Sequence, residues 1–198
     1  VENISSSKNR LKNKKINTSL LQKIPFAKAN IQKFLPFIPF AIEQLDLTKY
    51  DLILSSSHLS TKGIITSPDQ LHICYVHTPM RYAWDQMNTY LEHSNLNKIF
   101  PEILIRYFLY KLRKWDYISS QRADYLIANS TFTQRRIKKY WGLNSHIIYP
   151  PVDIKRFRFN KNRSNFYLSV NRLVPNKRVD LIIKAFNKLG LPLIIIGD

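Results

Sequence analysis

The stretch YLIANSTFTQRRIKKYWGLNSHIIYPP, residues 125–151, contains a strand, a helix and a second strand in immediate succession. Tyr125–Ala128 is a short apolar run without polar residues at alternate positions, the pattern of a buried strand in a parallel sheet. Asn129 or Ser130 then caps a basic helix, because a short side-chain oxygen can accept an N–H that the first helical turn leaves unpaired. The helix runs to about Trp141. Gly142 stops it, since only glycine enters the left-handed conformation of a helix end at little cost. Ser145–Tyr149 predicts the next strand, closed by Pro150-Pro151, which have no N–H to give to a ladder.

The same grammar extends in both directions. Tyr50–Ser56 (YDLILSS) and His72–Val76 (HICYV) read as two further buried strands, with a helix or turn holding Gly63 within Ser57–Ser67. Phe100–Arg122 is the longest helical candidate. Residues through Asn17 read as a polar loop, and Thr18–Gln44 as short helices interrupted by Pro25, Pro36 and Pro39. Beyond Pro151 the basic, polar stretch 153–165 has the composition of a linker. Phe166–Val170 predicts a strand, Val179–Leu189 a helix and Leu191–Ile196 a strand. Strands alternating with helices, most of them lacking a polar face, predict α/β parallel sheets covered on both sides. Ligands of such sheets lie beyond the carboxyl ends of the strands, so the residues just after each strand are the candidates for chemistry.

Composition limits the alternatives. The formal net charge is +18, unevenly spread: residues 1–40 hold eight Lys or Arg against one acid, residues 41–100 four against six, and the remainder nineteen against six. Nucleic acid, an anionic membrane surface, a phosphate-rich substrate or a plain solvated surface would each suit that charge. The single cysteine, Cys74, lies in an apolar run and reads as a small buried hydrophobe. No apolar run approaches the roughly twenty residues of a transmembrane helix, and the polar, basic start shows no secretory signal. The sequence opens on Val1 and stops at Gly197-Asp198 directly after a strand, so both ends read as cut.

Two strand ends carry candidate chemistry. The second strand is followed by His77-Thr78-Pro79-Met80-Arg81-Tyr82-Ala83-Trp84-Asp85. His77 at such an end can bond a sugar hydroxyl, or be a hydrogen-bonded strand-end residue and no more. Arg81 can bind phosphate or pair with Asp85. Trp84 and Asp85 read better as loop anchors than as substrate contacts. The fifth strand is followed by Asn171-Arg172-Leu173-Val174-Pro175-Asn176-Lys177-Arg178, which leads into a helix. There Arg172 offers a fork and Lys177 a point charge, beside the unpaired N–H groups of a helix start. That combination suits a diphosphate, and a solvated basic turn would have the same composition. Walker loops, Cys/His metal spacings and the hydrolase elbow are absent, and His58, His72, His93 and His146 show no ligand spacing, so no metal is expected. The basic and aromatic helix 100–122 could lie on anionic lipid, although an aromatic stripe at helical spacing more often faces a core.

The blocks HTPMRYAWD, LIANSTFTQRRI, IIYPPVD, NRLVPNKR and IIIGD, in this order, resemble the family 4 retaining glycosyltransferases over residues 16–198. Within that family they are most similar to bacterial enzymes of surface-polysaccharide and O-antigen assembly, mannosyltransferases included. The resemblance implies the GT-B architecture, two Rossmann-like domains with parallel sheets, the second incomplete. Residues 1–150 would be the acceptor-side domain without its first strand, 151–165 the linker, and 166–198 the start of the nucleotide-sugar-binding domain. It implies hexose transfer with retention, from a nucleotide-sugar co-substrate such as GDP-mannose to a lipid-linked or polysaccharide acceptor, with no metal and no other cofactor. Arg172 and Lys177 would bind the donor diphosphate and His77 would serve catalysis. The family's E-x7-E motif and its first glycine-bearing loop are absent, which implies that these residues alone are inactive. Two alternatives stand beside this reading: an inactive truncated transferase, and a basic nucleic-acid-binding module, for which no recognised motif is present. The expected location is cytoplasmic, with peripheral contact at the inner face of the membrane.

Overall fold

The computed structural model describes residues 16–24, 31–93, 100–156, 163–174 and 177–198. The chain divides into two compact units, Val1–Pro150 and Pro151–Asp198.

The first unit is built on a parallel sheet of β1 (Leu52–Ser57), β2 (Leu71–Val76), β3 (Tyr125–Ala128) and β4 (His146–Ile147), in that spatial order. Short 3-10 turns at Leu20–Lys23 and Ile31–Phe37 lead into α1 (Ile38–Glu43), with Pro36 inside the second turn. A 3-10 turn at Thr61–Gly63 joins β1 to β2. Helices α2 (Met87–His93) and α3 (Glu102–Ser120) connect β2 to β3, and α4 (Thr131–Trp141) connects β3 to β4. Gly63 is required by packing: a methyl group at its position would overlap the Trp115 ring and press on Ser119.

Local signals set the ends of α4. The Ser130 side chain accepts a hydrogen bond from the Thr133 N–H at 3.2 Å, and Gly142 closes the helix at φ 74°. Thr133, Arg136, Ile137 and Trp141 form its buried stripe, spaced by three and four residues as one helix face requires. Ile137 and Trp141 pack with Cys74, Val76, Leu126 and Ala128 to make the core beneath the sheet. Burial there pushes the Cys74 thiol pKa up, as expected of a structural rather than a reactive cysteine. Leu91, Ile105, Leu109 and Leu112 form a second cluster between α2 and α3.

Three sequence expectations need correction. Among the described residues the sheet is covered unequally on its two sides: Ile53, Ser55 and Ser57 of β1 are buried, while Leu54 between them is 71% exposed. The cause is strand order. Right-handed crossovers that always advance in the same direction across a sheet place their helices on one face. β4 is only two residues long instead of spanning Ser145–Tyr149. Asp85, offered above as an ion-pair partner of Arg81, is instead held by Arg136.

The second unit is a β–α–β motif: β5 (Tyr167–Val170) and β6 (Leu193–Ile196) pair in parallel, joined by α5 (Val179–Leu189). Tyr167 packs edge-on against Phe186 at 5.1 Å. The ladder continues past both strands, with Asn171 N–H donating to the Ile196 carbonyl at 3.0 Å and Leu173 N–H to that of Asp198 at 2.8 Å. A side chain at Gly197 would overlap the Asn171 carbonyl oxygen, so this crossing of backbones needs glycine.

Candidate functional site

At the carboxyl end of the first sheet, His77 leaves β2 beside the end of β1. Its N–H donates to the Ser57 carbonyl at 2.8 Å, and its own carbonyl accepts from Thr133 Oγ1 of α4 at 2.9 Å. The backbone of His77 is thus tied to both neighbouring elements while the imidazole stays exposed. Its Nε2 shares a hydrogen bond of 2.9 Å with Ser56 Oγ, and Tyr75 lies edge-on to the ring at 5.5 Å. Ser56 therefore sets the ring's orientation, leaving the Nδ1 edge for a second partner. Tyr75 is itself positioned by donation of its hydroxyl to the Ile148 carbonyl at 2.9 Å.

The loop after His77 is pinned by charge at two places. Arg136 donates through Nε to Thr78 Oγ1 at 3.0 Å, through Nη2 to Asp85 Oδ1 at 2.9 Å, and through Nη1 to Asp85 Oδ2. That fork holds the Asp85 carboxyl pKa below its ordinary value, with Arg81 adding a smaller attraction. Further along, Trp84 Nε1 donates to Asp116 Oδ2 at 2.7 Å and its ring stacks on Tyr140 at 4.7 Å, while Arg113 Nε donates to the Ala83 carbonyl at 2.7 Å. Asp116 also accepts from Trp141 Nε1 at 2.8 Å and faces Lys62 Nζ across 2.7 Å. Lys62 is 1% exposed and Asp116 wholly buried, so this is an ion pair removed from water, and partners on every side make such a pair tolerable. Trp84 and Asp85 act as loop anchors, the role the sequence favoured.

Arg136, Asp116, Lys62 and Ser56 were missed in the sequence. Arg136 alone had a local signal, since it falls within the apolar stripe of α4 rather than on its outer side. Arg81 is exposed. In the second unit, Arg172 follows β5 and Lys177 precedes α5 on one turn, and both are exposed. That turn is folded by Val174 N–H donating to the Arg172 carbonyl and Lys177 N–H to the Val174 carbonyl, both at 2.9 Å. Arg178 caps α5 in the left-handed conformation at φ 49°, its guanidinium bonded to Asp180 at 3.1 Å.

Parallel sheets joined by helices, with the polar loops at the strands' carboxyl ends, define a Rossmann-like α/β protein of the GT-B type. The family model described as Glycosyltransferase Family 4 matches residues 6–156, and the chain belongs to that family. It is also similar to Alpha-1,3/1,6-mannosyltransferase ALG2 of Candida glabrata, 35% identical over 84 residues that cover 35% of this chain and 18% of that protein. No solved structure matches.

Proposed function

We propose that this protein belongs to an enzyme that moves a hexose, mannose by the present reading, from a nucleoside-diphosphate sugar such as GDP-mannose. The acceptor is a lipid-linked saccharide or growing polysaccharide at the inner face of the cytoplasmic membrane, and the anomeric configuration is retained. The family membership and the likeness to a mannosyltransferase support sugar transfer. Among the described residues no helix is long and apolar enough to cross a membrane, which is compatible with peripheral contact.

The observation that carries the reading is the placement of Arg172 and Lys177 on one turn between the end of β5 and the start of α5. As the bond from the anomeric carbon to the diphosphate oxygen breaks, the electron pair stays on that oxygen. A guanidinium, an ammonium and the unpaired N–H groups of the α5 start would offset the charge that builds there, without a metal ion. His77, oriented by Ser56, would hold a hydroxyl of the transferred sugar, and Arg81 offers a further substrate contact.

The test is release of nucleoside diphosphate from a panel of nucleotide sugars by protein expressed from its complete reading frame. Arg172→Ala and Lys177→Ala should each lower kcat by roughly a hundredfold or more, the scale of losing one charge-stabilising donor, with circular dichroism unchanged. Unaltered turnover in both variants would remove the diphosphate role.

A further inference from the structure

We propose that Phe132 is an aromatic platform for the terminal sugar of the acceptor, stacking on the apolar C–H face of its pyranose ring. This deepens, and rests on, the reading of the His77 end of the sheet as a sugar-transfer site.

Phe132 lies in the first turn of α4, so the strand–helix junction carries it to the carboxyl end of the sheet. Phe132, Arg136 and Tyr140 are spaced by four and share one side of that helix. The Arg136 guanidinium carbon is 5.8 Å from the Phe132 ring centre and 5.0 Å from that of Tyr140, and Tyr140 stacks on Trp84 at 4.7 Å. Rings and guanidinium form a ladder, drawn together because an aromatic face is electron-rich. Trp84 closes its inner end. Phe132, at the outer end, remains 61% exposed. A single surface phenylalanine needs no explanation, but this one is located by a buried cation. Arg136 donates to Thr78 Oγ1 at 3.0 Å and grips Asp85, and Thr133, next to the ring in sequence, donates to the His77 carbonyl at 2.9 Å. One set of contacts therefore fixes both the ring and the His77 loop.

Neutral hydrogen-bonding groups share this end of the sheet. His77 and Asn129 are the first residues past the paired Val76 and Ala128. Asn129 Oδ1 accepts from Ser130 Oγ at 3.0 Å, while its amide nitrogen donates to nothing among the described residues. The Nδ1 edge of His77 is available as well. A pyranose has the matching form, with a face of C–H groups that packs on a ring and a rim of hydroxyls for neutral partners. A nucleotide base would also stack, but it brings phosphates, and the cation beside this ring is committed through Nε, Nη1 and Nη2 to Thr78 and Asp85.

Saturation-transfer NMR and titration of the full chain with the methyl pyranosides of mannose, glucose, galactose and N-acetylglucosamine test this without any donor. A failed donor assay and a failed platform are thereby told apart. At least one pyranoside should bind, with saturation strongest at the C–H protons of one ring face. Phe132→Ala should weaken that binding about five- to tenfold, the scale of one aromatic stack. Phe132→Leu, which keeps apolar area without a ring, should lose nearly as much, and Phe132→Trp should retain binding. Phe40→Ala removes a ring of similar exposure from α1 and should leave binding unchanged. Urea midpoints should be preserved in all four, because these side chains are exposed. In an active full-length enzyme Phe132→Ala should raise the acceptor KM with kcat little altered, the mark of lost uniform binding. The proposal is overturned if no pyranoside binds, if Phe132→Ala binds as the parent does, or if Phe40→Ala loses as much. Loss of guanosine monophosphate binding in Phe132→Ala, with pyranoside binding intact, would overturn it in favour of a base-stacking site.

Discussion

Replacing Asp116 should be the most damaging single change in the first unit. Its carboxylate faces Lys62 at 2.7 Å and accepts two indole N–H groups at 2.7 and 2.8 Å, and neither Lys62 nor Asp116 reaches solvent appreciably. In Asp116→Ala the lysine keeps the Leu59 carbonyl at 3.0 Å and the faces of Trp115 and Trp141 at 5.0 and 5.3 Å. These attract a cation but do not neutralise it. Breaking one side of a buried pair costs about 3–5 kcal/mol, and each indole left without an acceptor adds about 1 kcal/mol or more. Against a typical domain stability of roughly 5–15 kcal/mol, the variant should be unfolded or close to it. Asp116→Asn is the more informative change, since it keeps an acceptor for an indole and should cost about 3 kcal/mol by the same reasoning. Adding Lys62→Met should restore stability relative to Asp116→Asn alone, with a coupling of about 2 kcal/mol or more. Urea unfolding followed by tryptophan emission measures this directly, because Trp84 and Trp141 both donate to Asp116. The reasoning fails if Asp116→Asn costs under about 1 kcal/mol, or if the two substitutions simply add.

Three further outcomes follow from the geometry. His72 is wholly buried, with Nε2 bonded to Ser55 Oγ at 2.8 Å, and burial lowers its pKa below 6.5 despite the opposing pull of Asp124 and of a hydrogen bond to the Arg122 backbone. The unfolded chain therefore binds the proton more readily. Stability should be complete above pH 6.5 and fall as pH drops below it, and His72→Gln should flatten the trend of urea midpoints between pH 7.5 and 5.5. Arg136→Lys keeps the charge but loses the two-point grip on Asp85 and the bond to Thr78, costing about 1–3 kcal/mol; in an active full-length enzyme KM and kcat should shift together as the His77 loop loosens. Gly63→Ala should cost about 1–3 kcal/mol through overpacking against Trp115, read as a lower melting temperature and altered tryptophan emission.

The comparison of sequence and structure divides along the range of the interactions. Val179–Leu189 and the limits of α4 were legible because helix ends are marked by nearby residues: Ser130 reaches the Thr133 N–H three positions on, and Gly142 and Gly190 turn the chain at positive φ. Tyr125–Ala128 was legible from its apolar run. The polar residues at the strand ends, His77 and the Arg172–Lys177 turn, were legible because parallel sheets concentrate their loops there. Ser145–Tyr149 was overextended, since β4 pairs only through His146 and Ile147 and pairing depends on a neighbouring strand.

What the linear order of residues determined, then, was the alternation of elements, their caps, and which loops are polar, all properties a segment holds by itself. Tertiary structure alone decided that the strands advance in one direction and that, among the described residues, the two sheet faces are unequally covered. It also decided that Arg136 rather than Arg81 takes Asp85, and that Lys62 and Asp116 meet in the core. Those contacts join residues about fifty positions apart in sequence, and only the closing of the crossover helices over the sheet brings such charges within reach, out of water, where their pairing carries weight.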